Sequence, residues 1–296
     1  MTQAPPSDLI ASATVVLLRD GLDGPEVFLV RRHAESGFMA NATVFPGGKV
    51  DQADDGAAAD GLDAAACAAR LGGLEPRAAR ALHIAAVREL HEESHILLAR
   101  DRAGRLPNEA EVAEIDARLE ALRDGHRLAG ADYHRVLAEA QLTPALDLLV
   151  PFAHWVTPSA QQRRFDTWFF AAALPPQQRA ALDIHETTAA GWSTPRAALQ
   201  EHAAGGEIHL PPPTQHTLHR FAGLGTSSRQ VLGALALAGP GPRIQPHHVK
   251  EPPDGPAIVL PDDPAHPDHE AWIAQYAKPA RRHRFALVAG RFVYQD

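Results

Sequence analysis

The sequence predicts an α/β fold built on a mixed β-sheet, and three observations lead to it. Short apolar runs rich in β-branched residues, such as Ala13-Thr14-Val15-Val16-Leu17-Leu18, alternate with longer stretches of helical periodicity. The strand-like runs bracket the helices in mixed order, with no internal repeat. At 296 residues and 45% hydrophobic content, the chain can form one large domain or a domain with a substantial insertion.

The first run breaks at Asp20-Gly21, and Glu26-Val27-Phe28-Leu29-Val30 follows the turn Asp23-Gly24-Pro25, so the two should form a hairpin. Thr43-Val44-Phe45 predicts a short third strand that stops at Pro46-Gly47-Gly48. Residues 51–73, rich in Ala, Asp and Gly, are expected to be a loop or loose helical excursion. Pro76 suits a first helical turn, and the pattern stays helical to about Leu98. Val112, Ile115, Leu119 and Leu122 predict a helix over 108–123, and another is expected over 132–140. Strand signals return at 153–156, 166–171 and 191–193, followed by a helix at 195–202. A helix over 214–224, capped by Thr214, is expected after the stop Pro211-Pro212-Pro213. The Pro- and Gly-rich stretch 239–256 reads as an extended connection, and 257–260 with 284–294 as a small terminal strand pair.

Charge and cysteine content narrow the function. The net charge is −8 and no Lys/Arg-rich run occurs, which argues against a nucleic-acid duplex as partner. An anionic substrate then requires bound cations to reverse the local field. A single cysteine, Cys67, excludes an intramolecular disulfide and a zinc ribbon. Among the 17 histidines, His247-His248 is adjacent rather than at ligand spacing, and the rest are scattered, so no zinc set stands out. The apolar stretch 12–18 ends at Arg19-Asp20, too short for a signal peptide or a membrane span, and no later run is long enough either. The chain therefore reads as cytoplasmic, with no membrane partner.

The chemistry concentrates in Arg88-Glu89-Leu90-His91-Glu92-Glu93. At about 100° per residue, Glu89, Glu92 and Glu93 share one helical arc, with Ile84, Val87 and Leu90 on the other side. Three carboxylates on one arc repel each other, and hard divalent cations, which prefer oxygen ligands, offset that repulsion. Arg88, four residues before Glu92, can hold one carboxylate in place. Such a stripe alone is more often a solvated face than a metal site. What changes the weighing is Phe45-Pro46-Gly47-Gly48, a strand ending in a Gly-Gly turn where backbone can approach a ligand closely.

Together these two segments resemble the box of the Nudix hydrolases, G-x5-E-x7-R-E-U-x-E-E-x-G-U. Counting from Gly48, the first acidic position falls on Asp54, a shorter carboxylate than the usual Glu. The arginine expected at residue 62 arrives at Arg88, a split of 26 residues. An insertion at this point resembles a branch of the family, the peroxisomal coenzyme A diphosphatases. Gly37-Phe38-Met39, 149–158, 163–170, 186–193 and Leu210-Pro211-Pro212-Pro213-Thr214 are similar to that branch as well.

The resemblance implies a Nudix α/β/α sandwich with a mixed sheet, a helical insertion and a C-terminal extension. Residues 8–238 would form the Nudix domain, with its box split at about 55–80 and a helical insert at about 105–145. Residues 239–296 would form an extension packing on it. It also implies a diphosphatase using Mg²⁺ or Mn²⁺ held by Glu89, Glu92 and Glu93, with help from the Gly47-Gly48 backbone. Arg88 supports them, and the base is a box glutamate or Glu186 in a later loop. The implied substrate is a small-molecule diphosphate, coenzyme A or acyl-coenzyme A. ADP-ribose, NADH, dinucleoside polyphosphates and a catalytically silent ligand-binding domain stay open.

Arg31, Arg32, Arg163 and Arg164 are candidate phosphate clamps, since a guanidinium binds phosphate bidentately. An arginine pair at a strand start is also commonly a solvated edge, and Asp166 is a competing partner for Arg163 or Arg164. Trp155, Trp168 and Phe170 read as core. The family's glycine after the box is His95 here, so a residue with a Cβ must take a left-handed helix end. That histidine reads as structural, with a phosphate contact as the alternative. The segment 108–140 is expected to form a lid or wall beside the cleft, and homodimerisation stays open.

Overall fold

The computed structural model describes residues 9–33, 41–125, 128–181, 187–250, 255–277 and 279–295. Strand β1 (Leu9–Gly21) turns into β2 (Gly24–Arg32), in register from Leu18↔Val27 to Gly21↔Gly24. This is the predicted hairpin, with both strands longer than their apolar cores. Next come β3 (Thr43–Val44), β4 (Gly47–Lys49), a 3-10 turn at Gln52–Asp54, α1 (Ala64–Arg70) and α2 (Pro76–Ser94). The region 51–73 is therefore more ordered than its composition predicts. Asp51 and Asp63 supply the caps, accepting from Ala53 N and Ala66 N respectively.

β5 (Ala99–Arg100) and β6 (Thr143–Pro144) pair with each other and bracket α3 (Glu109–Glu120) and α4 (Gly130–Glu139). A capping box between Asn108 and Glu111 starts α3. Then follow β7 (Val150–Val156), β8 (Arg164–Ala173), β9 (Thr187–Ser193), α5 (Pro195–Ala203) and α6 (Pro212–Phe221). Thr214 does not cap α6. Pro212 stands at its first position, where a missing N–H costs nothing, and Thr214 is buried inside the first turn. The helix α7 (Ser228–Ala238), capped by Ser227, was not predicted from the sequence. The segment read as extended holds β10 (Arg243–Ile244) and β11 (His247–Val249). The terminal strand pair grows into a four-stranded sheet of β11, β12 (Ala257–Val259), β13 (Arg284–Val288) and β14 (Arg291–Gln295), with α8 (His269–Tyr276) between β12 and β13.

The main sheet runs β10-β7-β8-β1-β2-β3, with β4 also on β1 and β9 also on β2. It is mixed: β1 lies parallel to β8 and antiparallel to β2. Alternation along β1 sorts its side chains to two cores. Ala13, Val15 and Leu17 join Ile84, Val87 and Leu90 of α2 on one face. Val16 and Leu18 join Leu218, Val231 and Leu235 of α6 and α7, and Ile258 and Phe285 of the C-terminal sheet, on the other. Helices thus cover both faces, the predicted sandwich. Each fully buried aliphatic side chain contributes roughly 1.5–3 kcal/mol. A third cluster, with Leu97, Val112, Ile115, Tyr133 and Val136, ties α3 and α4 to the segment after α2. Among the described residues, no helix is long and apolar enough to cross a membrane.

Candidate active site

Helix α2 is the element on which the site depends. Glu75 caps it, accepting from Arg77 N and Ala78 N, and Pro76 occupies its first turn. It ends at Ser94, four residues before the predicted Leu98, because His95 adopts φ 58°, ψ 22°. A residue with a Cβ pays some strain there. His95 Nδ1 lies 2.9 Å from Asp116 Oδ2, which anchors it to α3 and turns it to a structural role. His91 sits beside it, with Nδ1 3.3 Å from Tyr133 Oη and Nε2 2.9 Å from Asp116 Oδ1, at ion-pair distance though off the line of a hydrogen bond. Burial raises the Asp116 carboxyl, but the two imidazoles beside it, His91 and His95, outweigh burial and hold it well below the usual range.

The acidic arc is not a solvated face. Asp54 is 0% exposed, Glu93 4%, Arg88 5% and Glu89 8%. Arg88 has five N–H donors, and all five find oxygen. Nε and Nη2 reach Asp54 Oδ1 and Oδ2 at 3.0 and 2.9 Å. Nη2 also donates to Lys49 O at 2.8 Å, and Nη1 to Glu89 Oε1 and Glu92 Oε1 at 2.7 and 3.3 Å. Burial opposes the charge on Arg88, and Glu89, Asp54 and Glu92 more than restore it. Asp54 takes two further donors, Asp51 N at 2.8 Å and His134 Nε2 at 2.9 Å. Burial raises its pKa, while the hydrogen bonds from His134 and Arg88 bring it below the ordinary value.

Strand β4 brings the glycine turn against this helix. Gly47 N donates to Glu93 Oε2 at 3.0 Å. A Cβ on Gly48 would lie 2.3 Å from Glu89 Oε2, and one on Gly47 would lie 2.4 Å from Ala13 O. Both contacts are shorter than packed atoms tolerate: at Gly47 the obstacle is backbone, so the approach requires glycine, and at Gly48 a Cβ would push the Glu89 carboxylate aside.

These residues line one part of a cleft of about 1210 Å³. Arg32, Lys49 and Arg163 add positive charge to its walls. Trp155, Phe165 and Phe169 add aromatic surface, and His248, Ile258 and Phe292 come from the C-terminal sheet. Arg32 Nε and Trp155 Nε1 are buried without a hydrogen-bond partner among the described residues.

The sequence-predicted residues separate accordingly. Gly47, Gly48, Arg88, Glu89, Glu92 and Glu93 come together, and Arg32 and Arg163 face the same cleft. Arg163 lies over the Phe165 ring at 5.3 Å. Arg31 and Arg164 are not among the lining residues, and Arg164 Nε reaches Thr157 O at 3.3 Å. Asp166 does not pair with either arginine but with His154, whose ring stacks on Trp168. Trp168 and Phe170 are core as expected, whereas Trp155 is both buried and a cleft wall. Glu186 and Gly37-Phe38-Met39 lie outside the described residues. The helical insert contributes Leu128 to the cleft and meets the end of α2 through Tyr133 at His91 and Asp116 at His91 and His95. Two participants were not predicted from the sequence. Asp54 was countable as a box position but not as a buried partner, and His134 carries no signal along the chain.

The fold and the split box together define a Nudix domain. The crystal structure of a Nudix hydrolase from Alicyclobacillus acidocaldarius superposes with a TM-score of 0.60 at 27% identity, covering 79% of this chain and 99% of that one. The chain belongs to the Nudix hydrolase family. Within that family, residues 75–221 match the NUDT19 Nudix domain. The chain is similar to the acyl-coenzyme A diphosphatases NUDT19 of Homo sapiens and Xenopus laevis, 31% and 29% identical over 236 and 227 residues. Those alignments take in 70% and 66% of this chain, which spans 63% and 59% of the length of the two relatives.

Nudix hydrolases generally need divalent cations. The Arg88 guanidinium pairs with three carboxylates, Asp54, Glu89 and Glu92, and the buried Glu93 lies on the Gly47 side of the same site. An all-oxygen donor set of carboxylates suits a hard divalent cation. The donor chemistry therefore fits such an ion. Among the described residues, no three His, Cys, Asp or Glu side chains already converge on one point, because Glu89 turns to Arg88 and Glu93 to Gly47 N.

Proposed function

We propose that this chain is a divalent-cation-dependent diphosphatase acting on coenzyme A or acyl-coenzyme A. The observation that carries the reading is the assembled box. Despite the 26-residue split, Asp54, Arg88, Glu89 and Glu92 form one buried network, and Gly47 and Gly48 close on Glu89 and Glu93. The choice of substrate is supported by the names of the two relatives and by a cleft that joins an acidic floor to cationic and aromatic walls.

Glu89, Glu92 and Glu93 would hold Mg²⁺ or Mn²⁺, with backbone at Gly47-Gly48 alongside. When bound, the cation screens the diphosphate oxygens and makes water easier to deprotonate. Arg88 keeps Glu89 and Glu92 turned toward the cleft. Arg32 and Arg163 bind the outer phosphate oxygens of the substrate. A box glutamate accepts a proton from the attacking water as its oxygen bonds to phosphorus. The anhydride P–O bond breaks, and the bridging oxygen leaves with the second phosphate. From coenzyme A the products are 3′,5′-ADP and 4′-phosphopantetheine. In domain terms, 8–238 would be the hydrolase unit and 239–296 an extension that contributes one wall of the cleft.

The test is hydrolysis of a panel of coenzyme A, acyl-coenzyme A, ADP-ribose and NADH in Mg²⁺ or Mn²⁺, with products separated by chromatography. Preferred cleavage of the coenzyme A compounds supports the reading. Preferred cleavage of ADP-ribose or NADH overturns the substrate choice, and no turnover of any member overturns the enzyme.

A further inference from the structure

We propose that His134, on the inserted helix α4, is a positioning residue of this site. Its Nε2–H completes the donors around Asp54 and thereby holds Arg88 in line with Glu89 and Glu92. The inference rests on the reading above that Glu89, Glu92 and Glu93 hold a divalent cation.

Geometry carries it. Asp54 Oδ2 accepts from Arg88 Nη2 and Asp51 N, and Oδ1 from Arg88 Nε and His134 Nε2. Without His134, Oδ1 keeps a single donor among the described residues, Arg88 Nε, in a position fully shut off from solvent. An under-satisfied buried carboxylate is costly and free to rotate toward other donors. Any rotation of Asp54 moves Arg88, since two of the five guanidinium N–H groups end on it. Arg88 in turn sets Glu89 Oε1 and Glu92 Oε1.

The local sequence permits this reach. Position 54 carries Asp, one methylene shorter than the Glu of the box pattern, which leaves room for another side chain. Gly130 and His134 are one helical turn apart on the same face of α4. A Cβ at Gly130 would lie 2.8 Å from the Asp51 carboxylate, so glycine lets α4 settle on the 51–54 turn, and His134 then meets Asp54. Tyr133 next to it is fully buried, with Oη 3.3 Å from His91 Nδ1 of α2. The insert is thereby fastened to both halves of the split box, to its acidic turn and to its helix.

Partners one bond removed from a metal ligand typically change metal affinity or activity by about 10–100-fold when lost. Mn²⁺ binding to the full chain is to be measured by calorimetry or electron paramagnetic resonance, without substrate, alongside diphosphate hydrolysis and a thermal melt. His134→Ala is expected to weaken Mn²⁺ about tenfold and to raise the Mn²⁺ concentration at half-maximal turnover by a similar factor. His134→Gln, whose Nε2–H can reach the same oxygen, is expected to return both to within about threefold of the parent. A purely structural role would lower the melting temperature in both variants and leave Mn²⁺ affinity of the folded protein unchanged, which overturns the proposal. Failure of Gln to recover what Ala loses overturns it too. If His134→Ala does not fold, the Gln variant decides: near-parent Mn²⁺ affinity supports the proposal, and a tenfold loss contradicts it. Should the parent bind Mn²⁺ and hydrolyse nothing, the positioning role is still read from Mn²⁺ affinity while the diphosphatase reading fails.

Discussion

Arg88 grips Asp54 through two near-parallel hydrogen bonds, at 3.0 and 2.9 Å, across 34 residues of sequence. The insertion leaves this pairing intact because the helix α1 and its flanking turns loop out and return the chain to Pro76. Removing one partner of a buried pair strands the other, at about 3–5 kcal/mol. Arg88→Met should therefore cost about that much in denaturant unfolding. Arg88→Met combined with Asp54→Asn should cost less than the sum of the two single changes, by about 2 kcal/mol. Additivity within about 0.5 kcal/mol would show that the pair is not coupled.

Gly48 is tested by the smallest possible change. A methyl group there meets the Glu89 carboxylate at 2.3 Å. Gly48→Ala is expected to cost about 1–3 kcal/mol of stability and to lower turnover by at least about tenfold, because Glu89 must move. Unchanged kcat in a folded variant would contradict the placement of Glu89.

Much of this was legible along the chain, for reasons that differ by element. The hairpin β1–β2 announces itself because its apolar runs alternate and its turn carries Asp23-Gly24-Pro25. The helix α2 and its three glutamates follow from 3.6-residue periodicity. The burial of its acidic arc does not: the helix packs on β1 and α1, while the groups that close around the arc and its end, Tyr133, His134 and Asp116, arrive later in the sequence. Asp54 could be counted, but its partner His134 lies 80 residues away and no local pattern links them. Asp166 illustrates the opposite error: nearness in sequence pointed to Arg163 and Arg164, while strand pairing of β7 with β8 sets it beside His154. The four-stranded C-terminal sheet was foreshadowed only in part, because β11 is short and flanked by Pro and Gly.

Acid stability should reflect His83. It is fully buried, its Nδ1 sits 2.8 Å from Ala79 O, its ring edge packs on Phe170, and its Nε2 has no hydrogen-bond partner among the described residues. Burial lowers its pKa from 6.5 to about 4. Between those values the unfolded chain binds the proton and the folded one does not, so stability rises with pH there. His83 should thus contribute a loss on the order of 3 kcal/mol as pH falls from about 6.5 to 4. His83→Leu should flatten that part of a stability-versus-pH curve measured in denaturant; an unaltered slope would refute the assignment.

His95 should matter to the helix end and not to substrate. His95→Ala keeps the left-handed backbone and loses Asp116, so about 1–2 kcal/mol of destabilisation is expected. His95→Gly relieves the backbone and loses the same contact, so it should fall between Ala and the parent. Both should leave KM for the diphosphate substrate within about twofold. A tenfold rise in KM in either variant would point to a phosphate contact instead.

The most direct test of the central claim is coenzyme A hydrolysis in Mn²⁺ by the parent, Glu92→Gln and Glu93→Gln, each checked for folding by circular dichroism. Replacing a charged oxygen ligand with an amide should preserve the fold and lower kcat by on the order of 100-fold or more, equivalent to at least about 2.7 kcal/mol of transition-state stabilisation. The parent should release 3′,5′-ADP and 4′-phosphopantetheine, and both variants should release almost none. Near-parent rates in either folded variant would contradict the acidic helix as the cation site.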